Sequence, residues 1–350
     1  MNAGLENEAE KSATLKSAPI PVTVVAGFLG AGKTTLLNHI LTAEHGRRIG
    51  VLVNDFGSIN VDAELITEVE DGIVSLANGC ICCSIRMDLI RAVLQLAELD
   101  DRPEQIVIES SGVADPAGIV ESFLEPGIWD TVRLDGVITV VDAEQALGLP
   151  DEEMKLARVQ VAGGDLIALN KTDLVDAETL KQVHEWIESI RPGVQVFETT
   201  QCRLPMEILL GQSETDPMRG APDAELGVHV HEVSAGDGAG HDHHHHEHDL
   251  MFDTWAFTSD TPMKLGLVQQ LLGHLPSTLF RVKGFVHAAE EPQSRMVLQM
   301  VGRRATISPT RSWGDDTPCT RLVFISRHGT VNFAAMEKAL NNCREEVTTP

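Results

Sequence analysis

The sequence predicts an α/β fold: a doubly wound, mostly parallel sheet flanked by helices, followed by a smaller C-terminal α+β domain. Three observations carry this. From Pro21 onward, short β-branched runs with little polar alternation (VTVVA, IGVLVN, QIVIES, DGVITVVD, DLIALN, VQVFET) read as strands covered on both faces. Amphipathic stretches separate them, such as IRMDLIRAVLQLAEL, where Ile85, Leu89, Ala92, Val93 and Leu96 share one helical face. The alternation ends near Gly211, and a second pattern of clustered strands with flanking helices starts at Met251.

In chain order, residues 1–20 read as a disordered tail, polar and mixed in charge. They hold no apolar run of the kind a signal peptide or membrane span needs, so a cytoplasmic protein is expected. Residues 21–211 form the first domain. Residues 212–250 lack apolar periodicity and read as a linker. Residues 251–350 form the second domain: MFDTWAFTS as a strand, MKLGLVQQLLGHL as a helix, LFRVKGFVHA, RMVLQMVGRRATI and TRLVFISR as strands, and NFAAMEKALNNCR as a helix. With 350 residues, 43% of them hydrophobic, the chain can bury one large core and a smaller one. A formal net charge of −25 repels phosphate backbones and anionic membranes, which argues against nucleic acid or membrane partners and favours attraction of a metal cation. Six cysteines in a chain this long do not form a disulfide scaffold, and a reducing compartment keeps them as thiols.

The strongest chemical signal is GFLGAGKT, Gly27 to Thr34, placed between a strand and a helix and fitting G-x-x-x-x-G-K-[ST]. In such a loop the backbone around Gly27, Gly30, Ala31, Gly32 and Thr35 curls round phosphate groups. Lys33 reaches the β and γ oxygens and the Thr34 hydroxyl ligates Mg²⁺. A plain glycine turn is the bland alternative. LNKTD then selects the nucleotide: Asp173 can accept from the guanine N1–H and exocyclic amine, a pattern adenine lacks. Asn170 is expected near the guanine O6 edge, with the Lys171 stem over the base, so GTP is favoured. Alone, the tetrapeptide could equally be a helix start capped by Asp173. Between these motifs IVIESSG ends a strand with Glu109, a candidate for the Mg²⁺ water shell, and Gly112, whose N–H is placed to sense the γ-phosphate. No glutamine follows Gly112, so slow intrinsic hydrolysis is expected.

ANGCICCSI crowds Cys80, Cys82 and Cys83 just before a predicted helix that starts at about Ser84. A helix N-terminus favours thiolate, and three thiolates with an open fourth position suit tetrahedral Zn²⁺ or Co²⁺. Asp55 in VNDFGS is a possible oxygen ligand. A redox dithiol and small packed cysteines are the competing readings. His241, His243, His244, His245, His246 and His248 form a second metal-binding candidate, a loose tract that can equally be a solvated linker. Residues 281–328 hold eight basic and four acidic residues, either a docking face for an acidic client or a solvated sheet face.

Taken together and in this order, GFLGAGKT, CICC, ESSG and NKTD, with a histidine-rich linker and the terminal RVKGFV and RLVFISR, resemble the CobW-type family of P-loop GTPases over about residues 20–335. The resemblance implies a metallochaperone: GTP with Mg²⁺ organises a metal site at Cys80, Cys82 and Cys83, and hydrolysis releases the ion to a client metalloprotein or to cobalamin synthesis. The family usually has Asn-Glu-Phe-Gly where this chain has Asn54, Asp55, Phe56 and Gly57, which weakens a role for Asp55. A regulatory or redox-responsive GTPase, in which the cysteines form a disulfide, and a metal buffer are the alternatives.

Overall fold

The computed structural model describes residues 19–53, 73–75, 84–99, 101–123, 126–129, 131–211, 229–232, 251–314 and 316–345. Asp55, Cys80, Cys82, Cys83 and the histidine run 241–248 lie outside the described residues.

The first domain is built on a seven-stranded parallel sheet of β1 (Ile20–Gly27), β2 (Ile49–Val53), β3 (Ile73–Ser75), β4 (Gln105–Glu109), β5 (Val132–Asp142), β6 (Leu166–Asn170) and β7 (Gln195–Thr199). Its order is β3-β2-β4-β1-β5-β6-β7. Every β-branched run expected as a strand in this half is one. The added strand, β3, is three residues long, too short to show a pattern. Central β1 is buried at every position, and its alternate residues divide between two cores. Val22, Val24 and Ala26 meet the cluster of α2 (Ser84–Ala97) and α3 (Ala117–Ser122), with Leu89, Ala92, Val93 and Leu96 from α2. Helices α4 (Asp151–Gly163) and α5 (Ala177–Ile190) extend cover over β5 and β6 through Val161, Val183 and Ile187. Val25 points the other way, toward Leu36, Leu37 and Ile40 of α1 (Lys33–Thr42) and Ile208, Leu209 and Leu210 of α6 (Met206–Leu210).

The second sheet is antiparallel, in the order β12-β11-β10-β13-β9-β8. Its strands are β8 (His229–Glu232), β9 (Met251–Ser259), β10 (Leu279–His287), β11 (Ser294–Val301), β12 (Arg304–Ser312) and β13 (Thr320–Arg327). Helices α7 (Leu265–Leu272) and α8 (Phe333–Asn341) pack on one face, where the Trp255 ring centroid lies 5.0 Å from that of Phe324 and 5.3 Å from that of Phe333. Two expectations are corrected here. RMVLQMVGRRATI is a hairpin, not one strand, because Gly302 takes φ 56 and reverses the chain between β11 and β12. Within the segment expected to be a linker, His229–Glu232 pairs antiparallel with β9 as an edge strand, where a polar sequence is tolerated.

Beside the cores that each half keeps to itself, the two halves share one. Phe252, Phe280, Val301 and Ile325 of the second sheet belong to the same buried cluster as Val25, Leu36 and Leu209 of the first. Burial of each of those large side chains is worth about 1.5–3 kcal/mol, so the seam is a cohesive surface. Polar bonds fix its register. Buried Arg281 pairs with buried Asp135 and also donates to Ile208 O at 3.0 Å and Leu209 O at 3.3 Å. Arg133 donates to Gln299 Oε1 at 3.0 Å, and Arg304 to Asp165 Oδ2 at 2.8 Å. This also corrects the reading of the basic 281–328 stretch as one surface patch. Arg281 and Lys283 are only 2% and 4% exposed, and Arg304 is spent on Asp165, so part of that charge neutralises the acidic first domain. Arg321 and Arg327 stay exposed.

Candidate functional site

The site lies at the carboxyl ends of β1, β4 and β6, where ligands bind in open parallel sheets. Gly27 ends β1 at φ 138, and a Cβ there would stand 2.3 Å from Val140 O, so only glycine lets the chain leave the sheet beside β5. Gly32 sits at the N-cap of α1 with φ 113, and a Cβ on it would meet Asn170 Nδ2 at 2.5 Å. No side chain among the described residues caps α1 and its first turn has no acidic residue, so its leading N–H groups are left to bind an anion. Gly30 and Ala31 complete the loop between these glycines, and Thr35 is exposed at the start of α1. Lys33 is buried and folds back to donate to Phe28 O at 3.0 Å, which holds its ammonium over the cradle.

Thr34 Oγ1 donates to Glu109 Oε1 at 3.1 Å, joining the first turn of α1 to the end of β4. A hydroxyl beside a carboxylate that is only 4% exposed is the donor set that a hydrated Mg²⁺ requires. The chain leaves β4 with Ser110 N–H bonded to Val25 O at 2.9 Å and arrives at Gly112, which is packed against Leu29 so closely that a Cβ would lie 2.6 Å from Leu29 Cδ2. Gln160 of α4, 1% exposed, donates from Nε2 to Gly112 O at 3.1 Å and Ala114 O at 3.0 Å. Sequence reading missed Gln160. Its one signal is an amide on the inward face of α4 between Ala157 and Val161.

At the base end, Asn170 is 3% exposed, and both ends of its amide are engaged. Nδ2 donates to Ala31 O at 2.9 Å, and Oδ1 accepts from Cys202 N–H at 3.0 Å. Asn170 therefore braces the phosphate loop against the loop after β7. Lys171 takes a left-handed backbone conformation, φ 62, and its ammonium lies 2.7 Å from Asp142 Oδ2. Asp173 is exposed on a 3₁₀ turn (Thr172–Leu174), accepting from Thr200 Oγ1 at 3.1 Å. The helix cap is instead Asp176, whose carboxylate accepts from Thr179 N–H at 2.8 Å, so the capping alternative for Asp173 falls away. Cys202 is fully buried under the loop, with Sγ 3.3 Å from Gly32 O. Burial pushes its thiol up to about 12, so without a metal it stays protonated.

Lys33, Thr34, Glu109 and Gly112 are thus brought to one end of the cleft and Asn170, Lys171 and Asp173 to the other, and the cradle and donor set fit GTP with Mg²⁺. Among the described residues no group of three His, Cys, Asp or Glu side chains is placed to hold a metal ion. None of their helices is long and apolar enough to cross a membrane.

Residues 21–198 match the family model described as CobW/HypB/UreG, nucleotide-binding domain, and residues 252–344 match the cobalamin synthesis protein CobW C-terminal domain. The chain is 33% identical to a protein named zinc chaperone CobW from Sinorhizobium sp., across 91% of this chain and 95% of that one. It is also 33% identical to the zinc chaperone YjiA of Escherichia coli K12, across 88% and 94%. The crystal structure of Zn(II)-bound YjiA GTPase from E. coli aligns at 26% identity and TM-score 0.43, covering 94% of this chain and all of that one. With one model spanning the nucleotide site and a second spanning the antiparallel domain, the chain belongs to the CobW/HypB/UreG family.

Proposed function

We propose that the protein is a GTP-hydrolysing zinc chaperone that binds its ion at Cys80, Cys82 and Cys83 and delivers it to a client in a nucleotide-gated way. The observation that carries the nucleotide half is the physical joining of phosphate loop and base loop through Asn170, 2.9 Å from Ala31 O. A single cleft then offers a phosphate cradle at one end and the exposed Asp173 carboxylate at the other. The relatives named as zinc chaperones support the metal half.

In this reading Asp173 accepts from the guanine N1–H and amine, and Lys171 lies along the base. The N–H groups opening α1 and the Lys33 ammonium bind phosphate oxygens, where charge builds up during hydrolysis. Thr34 and Glu109 hold Mg²⁺, which supplies electrostatic stabilisation of the phosphates. Gly112 senses the γ-phosphate through its N–H, with its carbonyl side pinned by Gln160. Zinc is the favoured cargo and cobalt the next, with the open fourth position making release possible. Asp55 is a candidate oxygen ligand, and the histidines 241–248 a collecting arm. Residues 21–211 and 251–350 serve as nucleotide and client-facing domains, joined by 212–250 and preceded by the 1–20 tail. The exposed Arg321 and Arg327 suit an acidic client metalloprotein or cobalamin-synthesis enzyme. The thiols require the reducing cytoplasm.

The test uses the full chain with 241–248 deleted. Cys82→Ser should abolish competitive Zn²⁺ binding while leaving mant-GDP affinity unchanged. Retention of full Zn²⁺ affinity in Cys82→Ser would reject the thiolate site.

A further inference from the structure

The mechanism so far leaves one buried acid of the cleft unused. Asp142 closes β5 with its side chain 6% exposed, and its two carboxylate oxygens have different tasks. Oδ1 accepts from Glu144 N–H at 2.9 Å and Gln145 N–H at 3.3 Å, which fixes the plane of the group. Oδ2 is left facing Lys171 Nζ at 2.7 Å. The backbone fixes the same geometry. Asp142 stands opposite Asn170 in the parallel register of β5 and β6, and Ala143 N–H donates to Asn170 O at 2.9 Å. The carboxylate is therefore tied to the strand end that launches the base loop.

Lysine is a flexible four-carbon stem with a strongly hydrated head, so it does not hold one path across a cleft unless the head is anchored. Here the backbone is already in the left-handed region, which a non-glycine residue keeps only when its surroundings hold it there. The anchor at Nζ fixes the far end. With both ends fixed, the methylenes are drawn into a defined line, and the ammonium is committed to the cleft floor rather than to phosphate.

We propose that Asp142 is a positioning residue for guanine nucleotide binding, acting through Lys171 by holding its stem in place to cover the base. This rests on the guanine reading above, and the experiment separates the two. In full-length protein with Mg²⁺, mant-GDP dissociation constants are measured for wild type, Asp142→Ala, Lys171→Ala and the double variant, with mant-ADP as control. Loss of a charge-assisted contact should weaken binding by Asp142→Ala about tenfold. The double variant should then match Lys171→Ala within about twofold, because a residue that acts only through Lys171 has nothing left to lose. If the two losses multiply, Asp142 acts independently of Lys171 and the proposal is overturned. An unchanged affinity in Asp142→Ala overturns it as well. Asp142→Asn keeps the Oδ1 acceptor while removing the charge, and it replaces the alanine variant in the cycle if that variant does not fold. Equal binding of mant-ADP and mant-GDP by wild type would instead reject the guanine reading, whatever the cycle shows.

Discussion

Replacing Arg281 by methionine removes the central ion pair of the seam between the two sheets. Asp135 is fully buried. Its Oδ2 takes the Arg281 guanidinium and a Gln105 Nε2 contact at 3.4 Å, and its Oδ1 has no hydrogen-bond partner among the described residues. Methionine matches the length of the arginine stem but leaves that carboxylate without its main partner, and it frees Ile208 O and Leu209 O at the end of α6. Breaking a buried pair from one side costs about 3–5 kcal/mol. With a urea slope of about 3 kcal/mol per M, the unfolding midpoint should fall by roughly 1–1.7 M. Because Oδ1 is already unsatisfied, the pair is imperfect, and replacing both members should cost less than replacing one. Arg281→Met with Asp135→Leu is therefore expected to recover at least half of the lost midpoint. Urea melts followed by far-UV circular dichroism read both effects. A fall of less than about 0.3 M for Arg281→Met, or a double variant less stable than either single one, would refute this view of the seam.

Burial pushes the Asp135 carboxyl up, but Arg281 and Lys283, with hydrogen bonds from Arg281 and Gln105, outweigh it and hold the group below its usual range. Its contribution to stability is thus full above about pH 4 and disappears as pH falls through the lower folded value. The acid limb of a stability profile should flatten in the Arg281→Met/Asp135→Leu protein; an unchanged limb would count against the assignment. Asp173→Asn removes one acceptor and presents a donor, so it should weaken GDP binding by about 2 kcal/mol and raise affinity for xanthine nucleotide, which carries a carbonyl where guanine has an amine. Equal GDP affinity in the variant would contradict the base-reading role. Gln160→Leu removes both bonds to the segment after β4, so GTP turnover should fall about tenfold while mant-GDP affinity holds, and unchanged turnover would show that the pinning is incidental.

Much of the first domain was legible because central parallel strands are buried on both faces, and such strands must be continuously apolar and β-branched. Strand β3 escaped because three residues carry no period, and the β11–β12 hairpin because its turn, Gly302-Arg303, sits inside a run of otherwise strand-like residues. The phosphate loop was legible for a local reason: its glycines, lysine and threonine act at fixed sequence offsets. Asn170, Asp142 and Gln160 could not be read this way. Their roles exist only where β5, β6 and α4 meet loops 29 to 139 residues distant, as where the Asn170 amide bridges Ala31 and Cys202. Charge counting failed at Arg281 and Lys283 for the same reason, since composition does not reveal which face of β10 meets the first domain.

Coupling between nucleotide and zinc is measured most directly by competitive Zn²⁺ titration of reduced protein lacking residues 241–248, first in Mg-GTPγS and then in Mg-GDP. A nucleotide-gated chaperone should bind Zn²⁺ at least about tenfold more tightly in one state, a coupling of about 1.4 kcal/mol, with the tighter binding in the GTPγS state. Equal affinities in the two states would contradict delivery driven by GTP hydrolysis, because a nucleotide that does not distinguish the metal-bound form from the free form cannot move the ion.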